Sequence, residues 1–108
     1  MEKGNYCYKY PHPSVTTDCV IFCRDKEEIK VLLIKRKNEP FKGKWAFPGG
    51  FLNPDETAKE GALRELKEET GLETKDIQQF HTFTRPDRDP RERVISIAYL
   101  AIVNYKEV

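Results

Sequence analysis

The 108-residue sequence predicts an α/β domain in which strands outnumber helices. Segments of strand length, rich in β-branched or apolar residues, occur at residues 14–23, 30–35, 45–47, 77–84 and 93–103. A single segment, close to residues 58–70, carries both a helix start signal and a helix stop signal. A chain of this length holds at most one domain. We therefore predict one domain over residues 14–108, preceded by a lead-in of residues 1–13.

The composition restricts the kinds of partner. Charged residues make up 34% of the chain and balance to a net charge of +1, which gives no general attraction to nucleic acid or membrane surfaces. No apolar run approaches the ~18 residues of a membrane span, and the polar first residues lack the apolar part of a secretory signal. We therefore expect a cytoplasmic protein that recognises a charged ligand only locally.

The cysteine pattern agrees with a reducing compartment. The three cysteines, Cys7, Cys19 and Cys23, form no CxxC pair, which argues against a zinc site or a disulfide framework. Cys19 and Cys23 lie on one predicted strand, roughly 13 Å apart along it, which is too far for a disulfide. We expect all three to be reduced thiols.

The strand segments differ in character. Residues 14–23 alternate in the manner of a half-buried strand, whereas the continuous apolar run at residues 30–35 predicts a buried one. A charged turn separates them, so the two are expected to form a hairpin. The short strand at residues 45–47 is predicted to stop at Pro48-Gly49-Gly50. A densely charged loop, residues 85–92, joins the last two strands.

The helix has clear ends. Thr57 followed by Glu60 forms a capping box, in which two backbone N–H groups at the helix start are satisfied by side chains. Gly71 stands where a helix commonly ends in a left-handed conformation. These signals predict a helix from about Ala58 to Thr70.

Three glutamates are grouped on one side of this helix. At about 100° per residue, Glu65, Glu68 and Glu69 fall within an arc of about 100°, next to an apolar stripe that would dock on the sheet. Like charges at such spacing cost an isolated helix about 0.2–0.5 kcal/mol per pair. A divalent cation would remove that cost, and oxygen-only ligands favour Mg²⁺ first and Mn²⁺ next.

The alternative interpretation of the acidic face is a solvated helix surface laced with salt bridges. Against it, the glutamates lie beside the apolar stripe and not opposite it, where a solvated face would be. Arg64 adds a local cation that can hold a neighbouring carboxylate in place.

The stretch from Gly50 to Leu72 resembles the Nudix box, the signature of the Nudix (MutT-like) hydrolases. The pattern Gly50-x5-Glu56-x7-Arg64-Glu65-Leu66-x-Glu68-Glu69-x-Gly71-Leu72 matches it at every fixed position. The resemblance implies a Nudix-type α/β/α sandwich with a mixed sheet. Nudix domains usually carry a further strand and a second long helix, so this chain is expected to lack its C-terminal strand and helix and to be a fragment of a longer protein.

The resemblance also implies an activity and its residues. Nudix enzymes hydrolyse a nucleoside diphosphate linked to another group. Glu65, Glu68 and Glu69 stand at the metal-ligand positions with the carbonyl of Gly50, and Arg64 would orient a glutamate. The implied catalytic set is Glu65, Arg64 and Glu68.

The same resemblance leaves alternatives open for two further glutamates. Glu56 would bind metal through water or support the site. The general base is Glu65 or a glutamate of a later loop, for which Glu92 is available; the alternative for Glu92 is a solvated charge.

Outside the box, residues 11–22 and 85–103 resemble ADP-ribose pyrophosphatases and the Nudix-like sensor domains of regulators of NAD metabolism. In the enzymes, water converts ADP-ribose to AMP and ribose 5-phosphate. Arginines suit the recognition of phosphates or a terminal ribose, and the candidates are Arg36, Arg85, Arg88 and Arg91.

Adenine would be stacked by an aromatic residue: Phe41, Trp45 or Phe47. For Trp45 and Phe47 the favoured interpretation is that they belong to the core. His12 and His81 have no partner at ligand spacing and receive no role.

Three functions are consistent with these features. The first is a pyrophosphohydrolase acting on ADP-ribose, with a homodimer possible. The second is a domain that senses ADP-ribose in a transcriptional regulator without cleaving it. No DNA-binding segment is evident in the sequence and the box is complete, which favours the enzyme. The third is hydrolysis of a nucleoside triphosphate, against which the charged loop argues mildly.

Overall fold

A mixed five-stranded sheet forms the centre of the structure, a computed structural model that describes residues 7–38, 41–90 and 92–104. Strand β1 (Ser14–Asp25) runs through the middle of the sheet. It is hydrogen-bonded in parallel to β7 (Val94–Asn104), and β6 (Gln78–Phe83) adds antiparallel to the outer side of β7. The other side of β1 is shared by β5 (Gly49–Phe51) and β2 (Glu28–Val31), both antiparallel to it. The predicted hairpin between the first two strands is therefore confirmed.

A small second sheet lies beside the main one. It consists of β3 (Ile34–Lys35) and β4 (Trp45–Ala46), paired antiparallel. The loop between them is closed by a pair of backbone hydrogen bonds from Arg36 to Lys44 and from Gly43 to Arg36, each 2.9 Å long. This ribbon carries Arg36 at the end of β3.

Helix α1 (Ala58–Thr70) begins and ends where the sequence predicts. The Glu60 N–H donates to Thr57 Oγ1 at 3.2 Å, and the Thr57 N–H donates to Glu60 Oε1 at 2.8 Å, so both halves of the capping box are formed. Gly71 adopts φ of 79° and its N–H donates to the Lys67 carbonyl at 2.8 Å. Only a residue tolerant of the left-handed region ends a helix in this way without strain.

The core lies between α1 and one face of the sheet. Side chains alternate between the two faces of a strand, and the inward set on β1 and β7 packs against Ala62 and Leu66 of the helix. The strand residues of this core are Cys19, Ile21, Cys23, Tyr99, Ala101 and Val103. Burial raises the pKa of the Cys19 thiol to about 12, and the three cysteines are free, as predicted.

The opposite face of the sheet has no helix on it in the described part of the chain, where α1 is the one helix. Apolar side chains such as Ile29 and Ile102 are exposed there. The mixed α/β sheet is confirmed, whereas the second helical layer and the predicted missing C-terminal elements stay predictions; residues 105–108 lie outside the described residues. No helix of the described chain is long and apolar enough to cross a membrane.

One prediction about strands was wrong. The run at residues 30–35 is not one buried strand, because it divides between β2, which is wholly exposed at the sheet edge, and β3 in the small sheet. An apolar run indicates a strand without showing whether another layer covers it. The strand at residues 45–47 does end before Pro48, as predicted, and the sequence did not indicate the separate strand β5, which begins at Gly49 and pairs with β1 in the main sheet.

The prediction that Trp45 and Phe47 belong to the core was also wrong. Trp45 is 67% exposed and Phe47 is exposed as well. The physical reason is that the two-stranded sheet holding Trp45 has no layer packed over it among the described residues.

Replacing Leu66 tests the position of the core. Leu66 is fully buried against the sheet, so Leu66→Ala should lower the free energy of unfolding by about 2–5 kcal/mol, as measured by urea denaturation. The control is Ile29→Ala, which removes a similar side chain from the exposed edge strand and should cost less than about 1 kcal/mol. Equal losses in the two variants would contradict this packing.

Candidate active site

Arg64 is the centre of an ion-pair cluster that joins α1 to the loop after β5. Its Nη2 donates to Glu56 Oε1 at 2.7 Å, and its Nη1 donates to Glu65 Oε1 at 2.7 Å and to Glu68 Oε2 at 3.3 Å. Nη2 also donates to the Phe51 carbonyl at 3.2 Å. One guanidinium thus contacts three carboxylates, using the planar fork of donors that lysine lacks.

Glu56 is the best-held carboxylate of this cluster. It accepts two hydrogen bonds from Arg64 Nε, at 2.9 and 3.3 Å, besides the one from Nη2. The Asn53 N–H donates to it at 2.9 Å. These bonds, chiefly those from Arg64, hold the pKa of Glu56 below its usual value. Glu56 therefore ties the loop to the helix, which fits the supporting role among its two predicted roles.

Gly50 allows β5 to approach the helix closely. A Cβ atom at this position would lie 2.9 Å from the Glu65 carboxyl carbon and 3.0 Å from both of its oxygens. Since real Cβ atoms essentially never come closer than 3.0 Å, a side chain here would displace the Glu65 carboxylate. The glycine at the start of the box therefore leaves room for the first glutamate of the helix cluster.

Glu69 lies deeper than the other helix glutamates and carries an unsatisfied oxygen. Its Oε1 accepts from the Gly49 N–H at 3.4 Å, while its buried Oε2 has no hydrogen-bond partner. Burial first, and then the neighbouring Glu65 carboxyl group, raise the pKa of Glu69 to about 7. Arg36 acts in the other direction and lowers this pKa, so the two side chains are electrostatically coupled.

The donor set suits a divalent cation of the magnesium type. Glu65, Glu68 and Glu69 offer only oxygen, the ligand preferred by hard cations, and the buried unpaired oxygen of Glu69 is an atom that a cation would satisfy. In the described chain, however, no three acidic, histidine or cysteine side chains converge on one point. Arg64 holds Glu65 and Glu68, so metal binding by these residues requires them to turn away from the guanidinium.

A cavity of about 490 Å³ opens between the end of β3 and the C-terminal half of α1. The helix contributes Glu68, which is 60% exposed, and Glu69. The opposite wall is cationic, with Lys35, Arg36 and Lys37, and Phe47 and Gly49 also line the cavity. An anion bound in this cavity would contact the basic side chains of one wall. A cation would have to separate it from the glutamates of the other wall, which would otherwise repel it. The site can therefore hold an anion together with a metal ion.

The remaining predicted substrate residues are spread over the structure. Phe41 is exposed in the loop of the small sheet with φ of 64°, and Arg85 is exposed and paired with Asp87 at 3.0 Å. Arg88 Nη1 donates to Ser96 Oγ at 2.7 Å, and its guanidinium lies over the Phe83 ring. Ser96 belongs to the sheet face opposite α1, so Arg88 lies across the sheet from the glutamates. Arg91 lies outside the described residues.

Glu92 contacts the start of β1. Its Oε1 accepts from Ser14 Oγ at 2.9 Å, an exposed hydrogen bond that holds the loop end against the strand. The sequence did not indicate that Lys35 and Lys37 line the cavity beside α1, because their position depends on how the small sheet packs. The sequence indicated the glutamates of the site through their helical spacing and through the Nudix box.

The site thus combines glutamates on a helix with basic residues across a cavity. The family model described as the NUDIX domain matches residues 12–108. The chain belongs to the Nudix family.

Two curated relatives are similar to most of this chain. An ADP-ribose pyrophosphatase of Methanocaldococcus jannaschii is 50% identical over 91 residues, which are 84% of this chain and 52% of that protein. The ADPR responsive transcriptional repressor NtrR of Acinetobacter baylyi is 38% identical over 99 residues, covering 90% of this chain and 40% of the relative. The chain thus spans about half or less of the length of these curated relatives.

A solved structure agrees with the fold. The NUDIX domain of Shewanella oneidensis NrtR, crystallised as a complex with ADP ribose, superposes with a TM-score of 0.85 at 36% identity. The match covers 94% of this chain and 68% of that one. The predicted Nudix-type fold is confirmed.

The cluster around Arg64 should contribute to stability. Arg64→Met leaves three carboxylates without their shared cation, so we expect a loss of about 1.5–3 kcal/mol in the free energy of unfolding in metal-free buffer. Arg85→Met removes an exposed arginine with one surface partner and should cost less than about 1 kcal/mol. If both variants unfold at the same urea concentration, the cluster is not the support described above.

The raised pKa of Glu69 predicts a pH effect on stability. Its pKa rises from 4.5 to about 7, so the folded protein keeps a proton that the unfolded chain releases. The contribution of this proton to stability is complete below pH 4.5 and is lost as the pH rises through about 7. Without metal, Glu69→Gln should therefore gain stability relative to the wild type between about pH 5 and 8, measured by urea denaturation. Glu73→Gln, an exposed control, should show the same dependence of unfolding free energy on pH as the wild type. If Glu69→Gln also shows the wild-type dependence, Glu69 does not have the buried environment described here.

Proposed function

We propose that this chain forms a metal-dependent pyrophosphohydrolase site whose substrate is ADP-ribose, which water cleaves to AMP and ribose 5-phosphate. The observation that carries this proposal is the cavity with Glu68 and Glu69 on one wall and Lys35, Arg36 and Lys37 on the other. A pyrophosphate is strongly negative, and the basic wall offers it charge-assisted hydrogen bonds. The carboxylates opposite would repel it unless a cation lies between them.

The metal-binding residues of the proposal are Glu65, Glu68 and Glu69, with the carbonyl of Gly50 as a further ligand. When bound, Mg²⁺ or Mn²⁺ would neutralise the charge that builds on the bridging and terminal phosphate oxygens. Arg64 is the positioning residue, since it contacts Glu56, Glu65 and Glu68 and so decides where their oxygens lie. Glu56 keeps Arg64 in place.

The proposed substrate contacts begin with Arg36, which is coupled to Glu69 and lines the cavity. Arg85 and Arg88 in the charged loop, and Phe41 in the loop of the small sheet, remain proposed contacts to the ends of the substrate. For Arg88 this requires a change of partner, since it now donates to Ser96.

Two candidates remain for the group that takes a proton from the attacking water. Glu65 Oε1 accepts a hydrogen bond from Arg64 at 2.7 Å, so this oxygen would have to leave Arg64 before it could accept a proton from water. Glu92 is exposed and lies apart from the Arg64 cluster, at the start of β1, where it accepts a hydrogen bond from Ser14 Oγ. A base must come within hydrogen-bond reach of the water, and Glu65 is already beside the other carboxylates.

The choice of ADP-ribose is supported by similarity. The M. jannaschii relative is named an ADP-ribose pyrophosphatase, and the related NUDIX domain of S. oneidensis was crystallised with ADP ribose. We also propose a cytoplasmic location, a domain spanning residues 14–108 and, as one possible assembly, a homodimer.

The second candidate function is ADP-ribose sensing without cleavage. Two observations favour it: the similarity to the regulator NtrR, and the absence of three converging metal-binding side chains in the described chain. A panel of ADP-ribose, NADH, diadenosine polyphosphates and nucleoside triphosphates with Mg²⁺ separates the candidates. AMP released from ADP-ribose supports the enzyme, calorimetric binding of ADP-ribose without AMP supports the sensor, and preferred cleavage of a triphosphate overturns both.

Glu68→Gln tests the metal-dependent reaction. The substitution removes one negative charge from an exposed ligand position, so it should lower Mg²⁺-dependent AMP release by about 10- to 100-fold or more while the circular dichroism spectrum stays unchanged. Glu73→Gln, which removes the same charge from an exposed position after the helix, should keep wild-type turnover. Unchanged turnover in Glu68→Gln would exclude the role given to this residue.

A further inference from the structure

Thr17 is a polar residue on the face of β1 that packs against α1. Side chains alternate along a strand, so Thr17 shares this face with Cys19 and Ile21 of the core. The Cys19 thiol contacts the Ala62 carbonyl of the helix at 3.5 Å. Thr17 is fully buried, and its hydroxyl oxygen has no hydrogen-bond partner among the described residues. A buried hydroxyl without a partner is unfavourable and is rare in folded proteins.

The strand register places this hydroxyl beside Glu65. Thr17 lies directly opposite Gly50 in the antiparallel pair of β1 and β5. Residues that face each other in this way direct their Cβ atoms to the same side of the sheet, about 4.5–5.5 Å apart. A Cβ atom on Gly50 would lie 2.9 Å from the Glu65 carboxyl carbon. The Glu65 carboxylate therefore occupies the space over Gly50, next to the Thr17 side chain.

Glu65 needs a second donor if it is to bind a cation. Its Oε1 accepts from Arg64 Nη1 at 2.7 Å, and turning toward a cation gives up this charge-assisted hydrogen bond. Ionised Glu68 and Glu69 cannot replace the donor, because a carboxylate only accepts hydrogen bonds. A threonine hydroxyl donates one, and the hydroxyl of Thr17 has no competing partner in the described chain.

We propose that Thr17 is a positioning residue of the metal site, whose hydroxyl donates to the Glu65 carboxylate when this group leaves Arg64 to bind a divalent cation. The inference rests on the proposed function, because it takes Glu65 as a metal-binding residue. Thr17 contacts neither substrate nor cation in this arrangement. Its hydrogen bond to one oxygen of Glu65 orients the carboxylate and leaves the other oxygen for the cation.

The experiment measures Mn²⁺ binding without substrate, from the loss of the electron paramagnetic resonance signal of free Mn²⁺. Thr17→Val keeps a side chain of similar shape but removes the hydroxyl, so it should weaken Mn²⁺ binding by about tenfold or more. Thr17→Ser keeps the hydroxyl and should restore most of the wild-type affinity. In metal-free buffer, Thr17→Val should unfold at the same urea concentration as the wild type or at a higher one, because the hydroxyl that it removes has no partner.

Thr16→Val is the matched control on the same strand. The Thr16 side chain points to the opposite face of the sheet, where its hydroxyl is hydrogen-bonded to Ser96 Oγ. Thr16→Val should therefore unfold at a lower urea concentration and keep the wild-type affinity for Mn²⁺. The two valine variants are thus expected to have opposite effects on metal binding and on stability.

A structure of the wild type tests the same contact without a substitution. In crystals grown with Mn²⁺, Thr17 Oγ1 should lie within hydrogen-bond distance of a Glu65 carboxylate oxygen. The proposal is overturned if this contact is missing, if Thr17→Val binds Mn²⁺ as the wild type does, or if Thr17→Ser loses as much affinity as Thr17→Val.

Glu68→Gln distinguishes failure of this proposal from failure of the proposed function. If Glu68→Gln weakens Mn²⁺ binding and Thr17→Val does not, the metal site stands and the role given to Thr17 is excluded. If the wild-type chain binds no Mn²⁺, both the role of Thr17 and the proposed function are contradicted.

Discussion

The structure of the site depends on one guanidinium, that of Arg64, which contacts three carboxylates and offsets part of their repulsion. Without Arg64, the glutamates of α1 and Glu56 of the preceding loop would repel each other across a half-buried surface, where screening by water is weaker than in solution. With it, the loop after β5 is fastened to the helix through Glu56 and the Phe51 carbonyl. The same contacts decide which oxygens face the cavity. Arg64 therefore links the fold of this region to its chemistry.

Arg64 and a divalent cation would compete for the same oxygens. In the arrangement described here, Glu65 and Glu68 are satisfied by Arg64, whereas the inner oxygen of Glu69 has no partner. Glu69 would offer a cation an oxygen that has no hydrogen-bond partner, and Glu65 and Glu68 would have to leave Arg64 to bind the same cation. Glu56 is the most strongly bound to Arg64 and would keep the guanidinium near the site during this exchange. Glu56 would hold Arg64 while the helix glutamates would bind the cation, which explains why the acidic cluster includes one arginine.

Much of this site could be predicted because its information is local in sequence. The capping box of Thr57 and Glu60 and the left-handed Gly71 determine the helix ends from neighbouring residues, and helical spacing then places Glu65, Glu68 and Glu69 together. What could not be predicted depends on contacts between distant segments. Three features follow from how the strands pack: the exposure of Trp45, the hydrogen bond from Arg88 to Ser96, and the basic wall formed by Lys35 and Lys37. No residue pattern within one segment contains that information.

The claim on which the account depends is that the carboxylates of α1 gather around a divalent cation. A crystal structure of the chain grown with Mn²⁺, with anomalous data collected at the manganese edge, tests it most directly. The account predicts an anomalous peak bonded to carboxylate oxygens of Glu65, Glu68 and Glu69, with Glu65 and Glu68 turned away from Arg64. A map without a peak at this position, with Arg64 still paired to both residues at saturating Mn²⁺, would contradict it.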